Sequence, residues 1–252
     1  MKAIADLRVA DVMSSRIRAL SPDASLLEAA RLMTAERISC LLILDGGRLH
    51  GIITERDMVR YAHLGTATDT PLTALMSTPV VTAPASLDIR AAYELLGEHR
   101  VRHLVAVDAI GVAVGVVSET DFRTPLGREV FRSSRDLSAV MDAAPLALAP
   151  DRPLAEVVAG MAAVPVDYAL AVVGGRAIGI LTERDVPPLI ARGDDLATRT
   201  LADAMSAPVA SVAVDMTVVE ALRRMDARGY RHMVVVDGEG RLAGTITQHR
   251  LL

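Results

Sequence analysis

Three times along the chain a hydroxyl stands three residues ahead of a carboxylate inside one recurring phrase. The copies are Gly51-Ile52-Ile53-Thr54-Glu55-Arg56-Asp57, Gly115-Val116-Val117-Ser118-Glu119-Thr120-Asp121 and Gly179-Ile180-Leu181-Thr182-Glu183-Arg184-Asp185. A fourth copy, Gly244-Thr245-Ile246-Thr247-Gln248-His249-Arg250, keeps the hydroxyl but carries arginine in place of the aspartate. An ionised Asp can accept a hydrogen bond from each hydroxyl of a vicinal diol, and the Thr or Ser adds a hydroxyl on the same rim. The same spacing at a strand-to-helix turn is also that of a structural helix cap. Phosphates require backbone amides or a basic group. Two arginine–histidine pairs, Arg102-His103 and Arg231-His232, stand 129 residues apart.

Other chemistries are excluded by counting. Of 27 Lys plus Arg only Lys2 is lysine, so the internal lysine of a phosphate-loop ATPase, a protein kinase or a Schiff-base enzyme is missing. The single cysteine, Cys40, removes disulfide scaffolds, CxxC pairs and thiolate zinc clusters, and reads as a small hydrophobe in a strand. The six histidines form no H-E-x-x-H pair, so no metal site is expected. A net charge of −4 and only six aromatic residues argue against a nucleic-acid-coating protein, which needs basic faces and stacking rings. The longest uninterrupted apolar run, Val157 to Val166, is ten residues, far short of the roughly 18 of a membrane span. With charge at Lys2, Asp6, Arg8 and Asp11 the beginning lacks the apolar stretch of a secretory signal, so a cytoplasmic protein is expected.

The elements that must position these residues follow from self-similarity. A phrase of apolar residue, methionine and short polar residue recurs as Val12-Met13-Ser14, Leu75-Met76-Ser77, Val140-Met141-Asp142 and Ala204-Met205-Ser206, at intervals of 63, 65 and 64 residues. Two independent phrases sharing one period divide the 252 residues into four units. Within each, a short extended piece such as Val80-Val81-Thr82 leads to a helix. Ser25-x-x-Glu28 and Thr217-x-x-Glu220 are capping boxes, and Leu26, Ala29, Ala30 and Met33, like Val218, Ala221, Leu222 and Met225, make one apolar face. Apolar runs at 41–44, 104–107, 169–173 and 233–236 read as buried strands. A glycine turn and the Thr/Ser strand follow, and a last helix is expected after the Asp. Each unit is therefore β-α-β-β-α. One such unit exposes an apolar sheet face and is marginal alone, so pairing is expected, with the boundary in the arginine-rich stretch near residue 128.

The Met-Ser opening, the apolar strand closed by a turn and the Gly-x-x-[Thr/Ser]-x-x-Asp ending resemble the CBS domain, named after cystathionine β-synthase. The resemblance covers residues 8 to 252 and implies four α/β (α+β) repeats of about 8–64, 71–128, 136–192 and 200–252. It further implies that they pair into two pseudo-twofold Bateman modules, 1–128 and 129–252, with no catalytic domain. In that family the clefts between paired repeats commonly bind adenosine-containing ligands and regulate a partner. By resemblance, Asp57, Asp121 and Asp185 are the ribose-binding candidates, with Thr54, Ser118 and Thr182 beside them. Arg102-His103 and Arg231-His232 occupy the position facing phosphates.

These assignments rank the clefts. Repeat two carries both halves, Arg102 and His103 with Ser118 and Asp121, and is the best site. Repeat four keeps Arg231, His232 and Thr247 but has Arg250 in place of the diol acceptor. Repeat one has Thr54 and Asp57 without the basic pair, its counterpart being Ser39-Cys40. Repeat three puts Asp167-Tyr168 there, and Asp167 would repel a phosphate. Against these stand plainer readings: the Thr-x-x-Asp phrases as caps, His103 as a packed core-edge residue, and the recurring methionines as core. The expected protein is a non-catalytic sensor for AMP, ADP, ATP or another adenosyl compound, with no required cofactor. It would signal to a regulated partner or a homodimer, with no membrane and no nucleic acid. The alternative is a repeat scaffold whose clefts no longer bind.

Overall fold

The structure, a computed structural model, describes residues 6–122, 136–164 and 166–247. The sites expected at Arg250 and the boundary near residue 128 fall outside them. The fold is mixed α+β, with four three-stranded sheets of one design. In repeat one a helical turn α1 (Val9–Val12) leads to β1 (Ala19–Leu20), and α2 (Leu26–Glu36) crosses over to β2 (Cys40–Asp45), parallel to β1. The hairpin partner β3 (Arg48–Thr54) and α3 (Glu55–His63) follow. Repeat two has β4 (Thr82–Pro84), α4 (Ile89–His99), β5 (His103–Val107) and β6 (Ala113–Ser118). Repeat three has β7 (Ala147–Leu148), α5 (Leu154–Ala163), β8 (Tyr168–Val173), β9 (Arg176–Thr182) and α6 (Val186–Arg192). Repeat four has α7 (Leu201–Ala204), β10 (Ser211–Ala213), α8 (Val218–Arg228), β11 (His232–Val236) and β12 (Leu242–Thr247).

Local sequence accounts for most of this. Ser25 and Thr217 each cap their helix, with Glu28 and Glu220 closing the boxes. The α2 face buries Leu26, Ala29, Ala30 and Met33, and α8 buries Val218, Ala221 and Met225. Each central strand begins one residue earlier than its apolar run, at Cys40, His103, Tyr168 and His232, which brings those four polar-capable residues into the ladder. The helix expected after the Asp begins ahead of it. In repeat one α3 starts at Glu55, and in repeats two and three a 3-10 turn starts at Glu119 and Glu183. Thr54, Ser118 and Thr182 stand at the N-cap, so the aspartate three residues on lies inside the first turn.

Contacts divide the chain into two units, Met1–Asp57 with Ala67–Arg128, and Met58–Thr66 with Glu129–Leu252. In unit 1 the opening of each repeat is handed to the other. Ser14 bridges to Val116 of β6, while Ser77 bridges to Ile52 of β3. Val9 is fully buried in the core of repeat two, with Ile89, Leu104 and Phe122. Unit 2 repeats the exchange: Asp142 bridges to Thr245, Ser206 bridges to Ile180, and Leu137 is buried among Val212, Met225 and Val235. A lone repeat would lose the apolar residues that its neighbour contributes, each worth about 1.5–3 kcal/mol on burial.

The exchange explains why two phrases share one period. A Cβ built on Gly51 would lie 2.5 Å from the Met76 sulfur, and one on Gly115 would lie 2.5 Å from that of Met13. On Gly179 it would meet Met205 at 2.2 Å, and on Gly244 it would meet the Asp142 carbonyl at 2.6 Å and the Met141 sulfur at 2.9 Å. Methionine and glycine are the two halves of one contact, made four times across the pairs. A bulge immediately precedes each of these glycines, at His50, Val114, Ile178 and Ala243, which the register shift leaves unpaired.

Candidate functional site

The three hydroxyl–carboxylate phrases form caps, as the plainer reading required. The Thr54 amide and hydroxyl both donate to Asp57 Oδ2, at 2.9 and 2.7 Å. Ser118 does the same to Asp121 Oδ2, both at 2.7 Å, and Thr182 to Asp185 Oδ2 at 2.7 and 2.8 Å. The cap engages one carboxylate oxygen in each case. For Asp121 and Asp185, both half-buried, every hydrogen bond within the described residues ends on Oδ2, so Oδ1 retains its acceptor capacity. Asp57 is more enclosed, at 7% exposure.

Strand register brings the second half of the candidate site to the first. His103 pairs with Ser118 across the β5–β6 ladder, and His232 pairs with Thr247 across β11–β12. Cross-strand partners lie about 5 Å apart at Cβ, so histidine, hydroxyl and capped carboxylate of repeat two share one sheet end. The amide of Glu119 donates to the Arg102 carbonyl at 3.0 Å, tying the helix start to the residue ahead of β5. The same bond joins Glu55 to Ser39 and Glu183 to Asp167.

Each cleft is completed from the opposite repeat. In unit 1 the Ser39 hydroxyl of repeat one shares a 2.8 Å hydrogen bond with His103 Nε2 of repeat two. Burial raises the Cys40 thiol from 9.0 to about 12, with further push from the charges of Glu55 and Asp121, so it is no nucleophile. In unit 2 the position of Ser39 holds Asp167, whose Oδ1 lies 3.0 Å from His232 Nε2 in a contact poorly directed for a hydrogen bond. Tyr168, where unit 1 has Cys40, stacks obliquely on His232 with centroids 5.2 Å apart and hydrogen-bonds the Thr245 hydroxyl. Both Tyr168 and Thr245 are buried, at 2% and 1% exposure.

Sequence reasoning passed over Glu55 and Glu183, buried at 7% and 4% beside the capping threonines. Their signal was present, since Glu follows the hydroxyl in three of the four phrases. Thr245 was also missed, because nothing local predicts that a tyrosine 77 residues away reaches it. Among the described residues no cluster of His, Cys, Asp and Glu could hold a metal ion, and no helix is long and apolar enough to cross a membrane.

The CBS-domain family model matches residues 9–64, 72–126, 136–187 and 201–252. The chain belongs to the CBS-domain family. The CBS domain-containing protein YhcV of Bacillus subtilis is 31% identical over 114 residues, 45% of this chain and 81% of its own. Inosine-5'-monophosphate dehydrogenase of Nitrosopumilus maritimus is 32% identical over 115 residues, 45% of this chain but 23% of the enzyme, so CBS repeats also occur within a catalytic protein. For the whole fold, the crystal structure of MJ1225 from Methanocaldococcus jannaschii superposes with a TM-score of 0.83, covering 97% of this chain and 98% of that one at 19% identity.

Proposed function

We propose that this four-repeat CBS protein is a non-catalytic sensor whose repeats work as two paired modules and whose unit 1 cleft binds an adenosine-containing ligand. The observation that carries this reading is the shared sheet end of repeat two. There His103 stands opposite Ser118, and Asp121 keeps one carboxylate oxygen beyond its cap. A diol meeting that oxygen gains charge-assisted hydrogen bonds, and Arg102 with His103 offers positive charge to phosphate. Ligand binding against residues from both repeats would bias their packing, which a partner protein or a second copy could read. Calorimetry of the full chain with AMP, ADP, ATP, NAD and S-adenosylmethionine tests it. The expected result is binding of at least one compound well below millimolar, weakened about tenfold or more by Asp121→Ala. No binding, or binding indifferent to Asp121→Ala, removes the ligand.

A second reading, a scaffold with closed clefts, is favoured in unit 2 alone. There Asp167 already supplies an anion to His232, and Tyr168 is locked onto Thr245. Unit 2 then serves as the rigid half and unit 1 as the responsive half.

A further inference from the structure

The hairpin end of unit 1 holds a groove of about 610 Å³ whose lining includes none of Thr54, Asp57, Ser118 or Asp121. Its walls include Arg48, Leu49, His50, Thr78, Val80 and Val112. The side chains of Arg48 and His50 make no hydrogen bond or ion pair among the described residues. His50 is the bulge residue of β3, the kind of position that re-aims a side chain out of the ladder. The opposing hairpin tip is apolar, with Ile110 85% and Val112 46% exposed. An unpaired guanidinium beside an exposed aliphatic wall is a combination that stability alone does not call for.

Unit 2 shows the same hairpins without the ligand-ready features. Arg176, the counterpart of Arg48, donates to the carbonyls of Glu239 and Gly240. The Leu242 amide donates to Gly175 at 2.8 Å, joining the two hairpins. Where unit 1 has Ile110 and Val112, unit 2 has Glu239 and Arg241, ion-paired at 2.9 Å. Here the cation is spent internally and the tip is charged.

We propose that the unit 1 groove binds a small organic anion with an aliphatic body, the class represented by a medium-chain carboxylate. The Arg48 guanidinium presents a planar fork suited to a carboxylate, with His50 as a second donor. Leu49, Val80, Ile110 and Val112 cover the chain. A small molecule fits the volume, which lies within the several-hundred Å³ of small-ligand clefts.

The test is titration of the isotope-labelled full chain with octanoate, read from backbone amide shifts. Octanoate is expected to move Gly46, Gly47 and Gly111 and to half-saturate at roughly millimolar concentration. Arg48→Ala should weaken it about tenfold or more, and inorganic phosphate, which lacks the aliphatic body, should bind at least about tenfold more weakly than octanoate. The double variant Ile110→Glu with Val112→Arg, copying unit 2, should abolish it. All substitutions lie on exposed hairpin residues, and unchanged amide positions elsewhere report an intact fold. Absence of shifts at these glycines, or binding indifferent to Arg48→Ala, overturns the proposal. Displacement of octanoate by AMP also overturns it, by making the groove part of the nucleotide cleft. AMP failing to bind while octanoate binds would leave this site standing and remove the nucleotide reading instead.

Discussion

Units 1 and 2 share a frame and differ at two of its ends. Both exchange their repeat openings, and both seat methionine on glycine in the neighbouring repeat. At the sheet end, unit 1 joins its repeats through the Ser39 hydroxyl and His103, and unit 2 brings the Asp167 carboxylate to His232. At the hairpin end, unit 1 leaves Arg48 unpaired beside an open groove, and unit 2 folds Arg176 onto carbonyls. At the hairpin end unit 2 satisfies with its own atoms what unit 1 holds available, and at the sheet end it sets a carboxylate against the histidine where unit 1 has a hydroxyl. A duplicated frame that keeps its packing while one copy fills its polar positions separates the requirements of the fold from those of binding.

The largest expected effect tests the shared frame. Gly244→Ala should cost about 2–3 kcal/mol in urea unfolding, because the new methyl meets a backbone carbonyl. That carbonyl belongs to Asp142, which both donates to and accepts from Thr245, at 2.8 and 2.9 Å, and cannot withdraw. Gly179→Ala should cost less, about 1–2 kcal/mol, because it meets the movable side chain of Met205. Adding Met205→Ala should relieve the Gly179 clash, whereas Met141→Ala should leave most of the Gly244 cost in place. Equal rescue at both positions would refute the exchange as the source of the glycine requirement.

The next effect bears on the difference itself. Asp167→Ser gives unit 2 the residue of unit 1 and removes the negative charge facing His232. Nucleotide affinity at unit 2 should then rise by about tenfold or more, seen in calorimetry as added stoichiometry. Unchanged stoichiometry would mean that the charge of Asp167 is not what closes this cleft, leaving Tyr168 and the replacement of the diol acceptor by Arg250. Tyr168→Phe is expected to cost about 1–2 kcal/mol, since it strands the buried Thr245 hydroxyl, and Thr245→Val added to it should recover most of that. Unit 1 tolerates this apolar arrangement, with Cys40 and Val116 at the equivalent positions.

How much of this was legible in the sequence depends on the reach of each interaction. The fourfold period, the capping boxes at Ser25 and Thr217 and the buried faces of α2 and α8 are local patterns, and the structure has them where periodicity puts them. The final helix was placed late because Asp57 was read as the residue before it. The capping geometry instead makes Thr54 the N-cap and Asp57 the third helical residue. The strand starts were placed one residue late because Cys40, His103, Tyr168 and His232 differ in polarity but share a backbone role. The Met–Gly exchange and the Tyr168–Thr245 bond were invisible for another reason: they join residues roughly 25 to 103 positions apart in different repeats, and no local spacing encodes which repeat answers which. At the candidate site, residue types gave the chemistry, and only the ladder register gave the pairing of His103 with Ser118.

The smallest expected effect is an absence of reaction at Cys40, the unit 1 counterpart of Tyr168. Burial, with the charges of Glu55 and Asp121, raises its thiol to about 12. At pH 8 it should hold on the order of a thousandfold less thiolate than a free cysteine, so Ellman's reagent should leave the native chain unmodified and label it after denaturation. Because the folded value lies above the unfolded one, the stability linked to this group is complete below about pH 9 and is lost as pH climbs toward 12. Cys40→Ser should remove that alkaline slope while leaving the neutral-pH fold in place. Rapid native labelling at pH 8 would instead put the thiol in reach of solvent beside Asp121, making the unit 1 cleft wider than its repeat-to-repeat contact at Ser39 and His103 implies.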